Sequence, residues 1–144
     1  MHATRILVVE DERIVARSLR RQLTTLGYEV VGRVSSGEEA IQQAEELRPD
    51  LVLMDISLDG PMDGVEAAAI IRKQFRLPVV YLTGFSSKEI LERAKITEPF
   101  GYIFKPYEEQ ELHVVIETAL YEHRMERTST GTGAVVCRHP REYR

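Results

Sequence analysis

The chain has 144 residues, 43% hydrophobic and 29% charged, the composition of one globular domain large enough to bury its own core. A formal net charge of -4 argues against direct nucleic-acid binding, which needs clustered Lys and Arg, and the single cysteine, Cys137, excludes an intramolecular disulfide or a Cys-rich zinc site. No apolar run approaches the roughly 20 residues of a bilayer span, and Met1-His2-Ala3-Thr4-Arg5 lacks the shape of a signal peptide, so a cytoplasmic protein without membrane insertion is expected.

Five short apolar runs alternate with five helical patterns. Ile6-Leu7-Val8-Val9 is apolar on both faces, as a buried parallel strand should be. Val15, Leu19, Leu23 and Leu26 form one stripe of a first helix, which Gly27 caps. Glu29 to Arg33 reads as the second strand. Ser36 and Glu39 have the spacing of a capping box at a second helix, which turns Ala40, Ile41, Ala44 and Leu47 inward until Pro49 stops it. Leu51-Val52-Leu53-Met54 is the third strand and ends in Asp55. Gly60 and Pro61 turn the next loop, and Asp63 with Glu66 repeats the capping box at a third helix carrying Val65, Ala68, Ile71 and Phe75 inward.

Pro78 to Leu82 is the fourth strand, followed by Thr83-Gly84. Ser86 and Glu89 cap a fourth helix over Ser87 to Lys95. Its apolar residues are Ile90, Leu91 and Ala94 alone, so it is expected to be the least firmly anchored. Gly101 to Phe104 is the fifth strand and runs into Lys105-Pro106. A fifth helix with Leu112, Val115, Ile116, Ala119 and Leu120 extends toward Arg127. The reading is thus one domain over 1-127 and a Thr-, Ser- and Gly-rich tail over 128-144.

Strands alternating with helices predict an α/β fold, a doubly wound parallel sheet covered on both faces. Ligands of such sheets bind beyond the carboxyl ends of the strands. Those ends carry Glu10-Asp11, Asp55, Thr83 and Lys105. Taken singly, each has an ordinary explanation: helix cap, turn residue, β-favouring residue, surface lysine. Together they gather several carboxylates at one edge, a charge that calls for a hard, oxygen-liking cation such as Mg²⁺. Histidines stand only at 2, 113, 123 and 139, so zinc does not fit. A carboxylate beside Mg²⁺, an ammonium and a hydroxyl suits phosphoryl transfer to an aspartate.

The stretches Ile6 to Glu12, Leu51 to Ile56, Met62-Asp63-Gly64, Val79 to Gly84 and Gly101 to Pro106, in this order, resemble the receiver domain of two-component response regulators, the CheY-like family. The resemblance covers about Arg5 to Arg124. It implies the flavodoxin-like strand order 2-1-3-4-5 with five helices. It also implies roles residue by residue. Asp55 is the phospho-acceptor. Asp11 binds Mg²⁺ directly, Glu10 acts through water, and Ser57 offers a backbone carbonyl to the metal. Thr83 is the hydroxyl that moves toward the phosphoryl group, Lys105 pairs with it, and Tyr102 is the aromatic switch. Gly84 stands where the family keeps a small residue. The Lys105-Pro106 bond is expected to be cis. Ser57 and Phe85 flank the acceptor and are expected to tune how long the phosphoryl group survives. Two features depart from the common pattern: the Asp55 to Gly64 stretch is one residue longer, through Leu58-Asp59-Gly60-Pro61, and Glu replaces Asp at position 10.

The function so implied is a phosphorelay receiver. A sensor histidine kinase or phosphotransfer protein phosphorylates Asp55, and the helix four, strand five and helix five face changes shape for a downstream protein partner or a second copy. Slow, self-catalysed loss of the phosphoryl group would make it a switch rather than an enzyme. Two alternatives stand beside it. One is the receiver fragment of a longer transcription regulator or hybrid kinase. The other is a small Mg²⁺-dependent phosphatase, which would need a second acid or base close to Asp55.

Overall fold

The computed structural model describes residues 3–58, 60–84, 88–97 and 99–128. Strands and helices alternate along the chain: β1 (Arg5–Val9), α1 (Arg13–Thr25), β2 (Glu29–Val34), α2 (Gly37–Leu47), β3 (Leu51–Asp55), α3 (Gly64–Phe75), β4 (Val79–Thr83), α4 (Lys88–Ile96), β5 (Gly101–Phe104) and α5 (Glu109–Thr128). The five strands form one parallel sheet in the order β2-β1-β3-β4-β5. The expected fold class and strand order are both present.

β3 and β4 are buried at every residue, which is why their sequences are apolar on both faces instead of alternating. Pro78 lies just outside β4 and serves the ladder only as an acceptor, its carbonyl receiving the Val52 amide at 3.0 Å. The sheet divides the interior in two. Leu19 and Leu23 of α1 and Leu112, Ile116 and Ala119 of α5 pack with Ile6, Val8, Leu53 and Leu82 on one face. Ala40 and Ala44 of α2 and Val65, Ala68 and Ile71 of α3 pack with Leu7, Val9, Val52 and Tyr81 on the other. α4 adds one buried residue, Ala94, to that second layer, as its thin apolar content predicted.

The two expected capping boxes come out differently. At α3 both halves form: Asp63 accepts the Glu66 amide at 2.9 Å, and Glu66 accepts the Asp63 amide at 3.0 Å. At α2 only one half forms. Ser36 Oγ accepts the Glu39 amide at 3.2 Å, but the Glu39 carboxylate takes the amide and hydroxyl of Ser35 instead. Two donors on one residue out-compete the single Ser36 amide. Gly27 sits at φ 96, the left-handed conformation its place after α1 requires. The Ser86 cap, Asp59, Cys137, and all of the expected tail beyond the end of α5 at Thr128 lie outside the described residues.

Candidate functional site at the carboxyl ends of the strands

A parallel sheet delivers the ends of β1, β3, β4 and β5 to one edge, and the polar residues found there are those the sequence singled out. Glu10 follows β1, with its amide fixed to the Val34 carbonyl at 3.0 Å. Asp55 ends β3, and the amide of Ile56 next to it is fixed to Leu82 O at 3.0 Å. Thr83 ends β4, and its carbonyl accepts the Lys105 amide at 2.8 Å. Each side chain is therefore aimed by backbone in or directly attached to the sheet. The Lys105–Pro106 peptide bond is cis.

Carboxylate oxygens of Glu10, Asp11 and Asp55 lie within 4.8 Å of one another. Glu10 and Asp55 are buried and Asp11 is half-buried. Lys105 Nζ stands 3.3 Å from Glu10 Oε1 and 3.9 Å from Asp55 Oδ2. The amide of Ser57 donates to Asp55 Oδ1 at 2.9 Å, so one oxygen of Asp55 is held by backbone and the other faces the ammonium. Glu12 donates its amide to Glu10 Oε2 at 3.2 Å. Burial, and next the nearby Asp55 charge, push the Glu10 carboxyl above its ordinary range, while the Glu12 amide and Lys105 pull it back. Among the described residues Lys105 stands against Glu10 and Asp55, and a cluster of hard oxygen donors this close suits a hard cation.

The Thr83 hydroxyl is fully buried and donates to Gly84 O over a long 3.4 Å. Tyr102 on β5 is half-buried, with its ring centroid 5.9 Å from that of Tyr81 and 6.3 Å from that of the exposed Phe104. A tyrosine on an edge strand ordinarily keeps its hydroxyl in water. Here the hydroxyl is buried and has no hydrogen-bond partner among the described residues. Burial and the charge of Glu92 raise its pKa. Phe85 lies outside the described residues.

Three contributions were not read from the sequence. Gly64 lies so close to the acceptor strand that a Cβ there would collide with the Asp55 carbonyl oxygen. The signal was available, since Gly64 follows directly on the Asp63 cap. Asp63, besides capping α3, accepts Arg93 Nη1 of α4 at 3.0 Å, tying the loop after Asp55 to that helix. Tyr81, fully buried in β4, shares a 2.8 Å hydrogen bond with Thr97, whose hydroxyl also lies 2.7 Å from Ala94 O at the end of α4. Nothing periodic in the sequence marks either of these last two.

Residues 6–117 match the response regulator receiver domain family. The chain is 38% identical over 120 residues to the transcriptional regulatory protein PdtaR of Mycobacterium tuberculosis, covering 83% of this chain and 58% of that protein. It is 41% identical over 103 residues to the response regulator protein VraR of Staphylococcus aureus, covering 70% of this chain and 49% of VraR. The chain thus spans about half the length of these two relatives. Among solved structures, the signal receiver domain of a modulated diguanylate cyclase from Desulfovibrio desulfuricans G20 superposes with a TM-score of 0.83 at 44% identity, covering 86% of this chain and 98% of that one. Receiver domains generally bind Mg²⁺, take phosphoryl groups from histidine kinases and signal rather than turn over substrate. Among the described residues no helix is long and apolar enough to cross a membrane. On these matches and this fold, the chain belongs to the response regulator receiver domain family of two-component systems.

Proposed function

We propose that Asp55 is the phospho-acceptor of this receiver and that its phosphorylation reshapes the face formed by α4, β5 and α5. The observation that supports this most is the meeting of three carboxylates from two strand ends within 4.8 Å, with an ammonium 3.9 Å from Asp55. Asp11, Asp55 and the Ser57 carbonyl would hold Mg²⁺ directly and Glu10 through water, and the ion would neutralise charge on the phosphoryl group in transit. An oxygen of Asp55 attacks the phosphorus of a phosphohistidine on a sensor histidine kinase or phosphotransfer protein. The new O–P bond forms as the P–N bond breaks and the imidazole leaves. The Ser57 amide fixes the acceptor carboxylate, and Lys105 meets the incoming negative charge.

The phosphoryl group then offers about two negative charges and three acceptor oxygens where one carboxylate stood. Lys105 gains a stronger partner, and the Thr83 hydroxyl exchanges its long bond to Gly84 for a charge-assisted one. Tyr102 packs in the same layer as Tyr81 and responds to the space Thr83 vacates. The result is a shift between two populations, bounded by the phosphoryl group's differential contacts in them. Water returns the group slowly to phosphate, at a rate set in part by residues 57 and 85. What the switch drives in a full-length protein follows the output of that protein; for PdtaR, the name says transcription.

A phosphatase reading needs a substrate pocket and a second acid or base beside the nucleophile, and the sequence offers none within two residues of Asp55. Ser57, two residues on, gives its amide to Asp55. Intact mass after incubation with acetyl phosphate tests the proposal. A Mg²⁺-dependent gain of one phosphoryl group in the wild type and none in Asp55→Asn is expected. Equal labelling of the two would refute it, and repeated turnover of a phosphoester would favour the phosphatase.

A further inference from the structure

The two helices beside the open edge of the sheet carry unmixed and opposite charge. α1 holds Arg13, Arg17, Arg20 and Arg21 and no acidic residue, and all four are exposed. Among the described residues none of these arginines is within ion-pair distance of a carboxylate. α2 holds Glu38, Glu39, Glu45 and Glu46 and no basic residue, and all four are exposed. The helices lie on opposite faces of the sheet, since the buried residues of α1 and α2 belong to different halves of the core. Arg33 of β2 acts on Glu39 within the chain, but the sheet keeps the four α1 arginines from the α2 glutamates.

Between them runs β2, which among the described residues pairs with β1 alone. Among the described residues no strand pairs with its outer side, and Val30, Val31 and Val34 are partly exposed. Natural sheets normally blunt such an edge or cover it. Arg13, Arg17 and Arg20 share one stripe of α1 and, with Ile14, Val30 and Arg33, line a groove of about 450 Å³ there. Glu39 and Glu46, also seven positions apart, share one stripe of α2.

We propose that a second copy of this chain covers the β2 edge, related by a two-fold axis running along the strands, so that α1 of each copy lies against α2 of the other. The charges choose between the two symmetric ways in which the edges can meet. An axis perpendicular to the sheet would continue the sheet but set α1 beside α1 and α2 beside α2, like charge against like. An axis along the strands exchanges the faces and sets the arginine stripe of one copy against the glutamate stripe of its partner, twice. α1 and α2 both start from the carboxyl end of the strand before them, so the arginine stripe of one copy runs alongside the glutamate stripe of its partner. Such pairs lie at the rim, speed association and weaken with salt.

Sedimentation velocity on the full chain tests this with two charge reversals, Arg17→Glu with Arg20→Glu and Glu45→Lys with Glu46→Lys. Wild type is expected to self-associate at low salt and dissociate as salt rises. Each reversed variant is expected to associate at least about tenfold more weakly, a loss of about 1.4 kcal/mol. An equimolar mixture of the two is expected to form a one-to-one dimer, because each reversed helix then meets its complement. Circular dichroism checks that both variants fold, and the neutral pairs Arg17→Gln with Arg20→Gln and Glu45→Gln with Glu46→Gln serve if either does not. A wild type that stays monomeric throughout overturns the proposal. So does a dimer that survives either reversal, which would use another face, or folded variants that fail to associate when mixed. Association lost on changing α1 alone overturns it as well and points to a different anionic ligand.

Discussion

Replacing Glu10 by Gln removes one charge from the strand-end cluster while keeping the side chain's size, and it should stabilise the metal-free protein. At an effective dielectric of about 20, two charges 4.8 Å apart repel by about 3.5 kcal/mol, and Glu10 faces two other carboxylates within that distance. Lys105 at 3.3 Å returns about 5 kcal/mol on the same scale, leaving a net repulsion of about 2 kcal/mol. Asp11 is half-exposed and screened, which reduces the surplus to about 1 kcal/mol. Burial of Glu10 acts in the same direction. Urea unfolding in EDTA should therefore place Glu10→Gln about 1 kcal/mol above wild type. Saturating Mg²⁺ should stabilise wild type more than the variant, because the variant has lost a carboxylate. The pH dependence carries the same sign. The folded protein holds the Glu10 proton more tightly than the unfolded chain does, so wild-type stability falls as pH rises from mildly acid toward neutral. Glu10→Gln should lack that slope. A variant no more stable than wild type in EDTA above neutral pH, where Glu10 is charged, would refute the claim that the metal-free site is electrostatically frustrated.

Lys105→Met should do the opposite, leaving three carboxylates without their cation; its urea midpoint should fall in EDTA and recover in part with Mg²⁺. Gly64→Ala should destabilise by about 1–3 kcal/mol through collision with the Asp55 carbonyl, against the roughly 1 kcal/mol that Ala ordinarily gains over Gly in a helix, so the sign of the urea shift alone decides it. Tyr81→Phe should cost about 1 kcal/mol in the same assay by removing the bond to Thr97. Arg93→Ala should speed amide hydrogen exchange in α4 while leaving α1 unchanged, and high salt should bring the wild type toward the variant.

The strands were legible because a parallel sheet covered on both faces needs runs such as Leu51-Val52-Leu53-Met54, and little else produces them. The site was legible for a related reason. Once the sheet is parallel, Glu10, Asp55, Thr83 and Lys105 have to share an edge, although they are far apart in sequence. The strand order was not in the pattern of residues and came from the resemblance. The Ser36 and Asp63 caps show where local reading stops. Both have Glu three residues on, yet Glu39 goes to Ser35, because a neighbour outside the motif offers more donors.

The attachment of α4 was the least legible part, and the physics explains why. A helix with one fully buried residue, and only Ile90 and Leu91 packed partly on the core, leans on polar contacts as well, and these join positions with no periodic relation: Arg93 to Asp63, and Thr97 to Tyr81 sixteen residues earlier. These ties are individually worth little, on the order of 1 kcal/mol each. Beside them Tyr102 leaves a buried hydroxyl without a partner among the described residues, a cost of about 1–3 kcal/mol that any rearrangement supplying an acceptor would relieve. A face held by weak polar ties next to an unmet hydrogen bond requires only a small differential free energy to repopulate. The Asp63–Arg93 pair joins that face to the loop following Asp55.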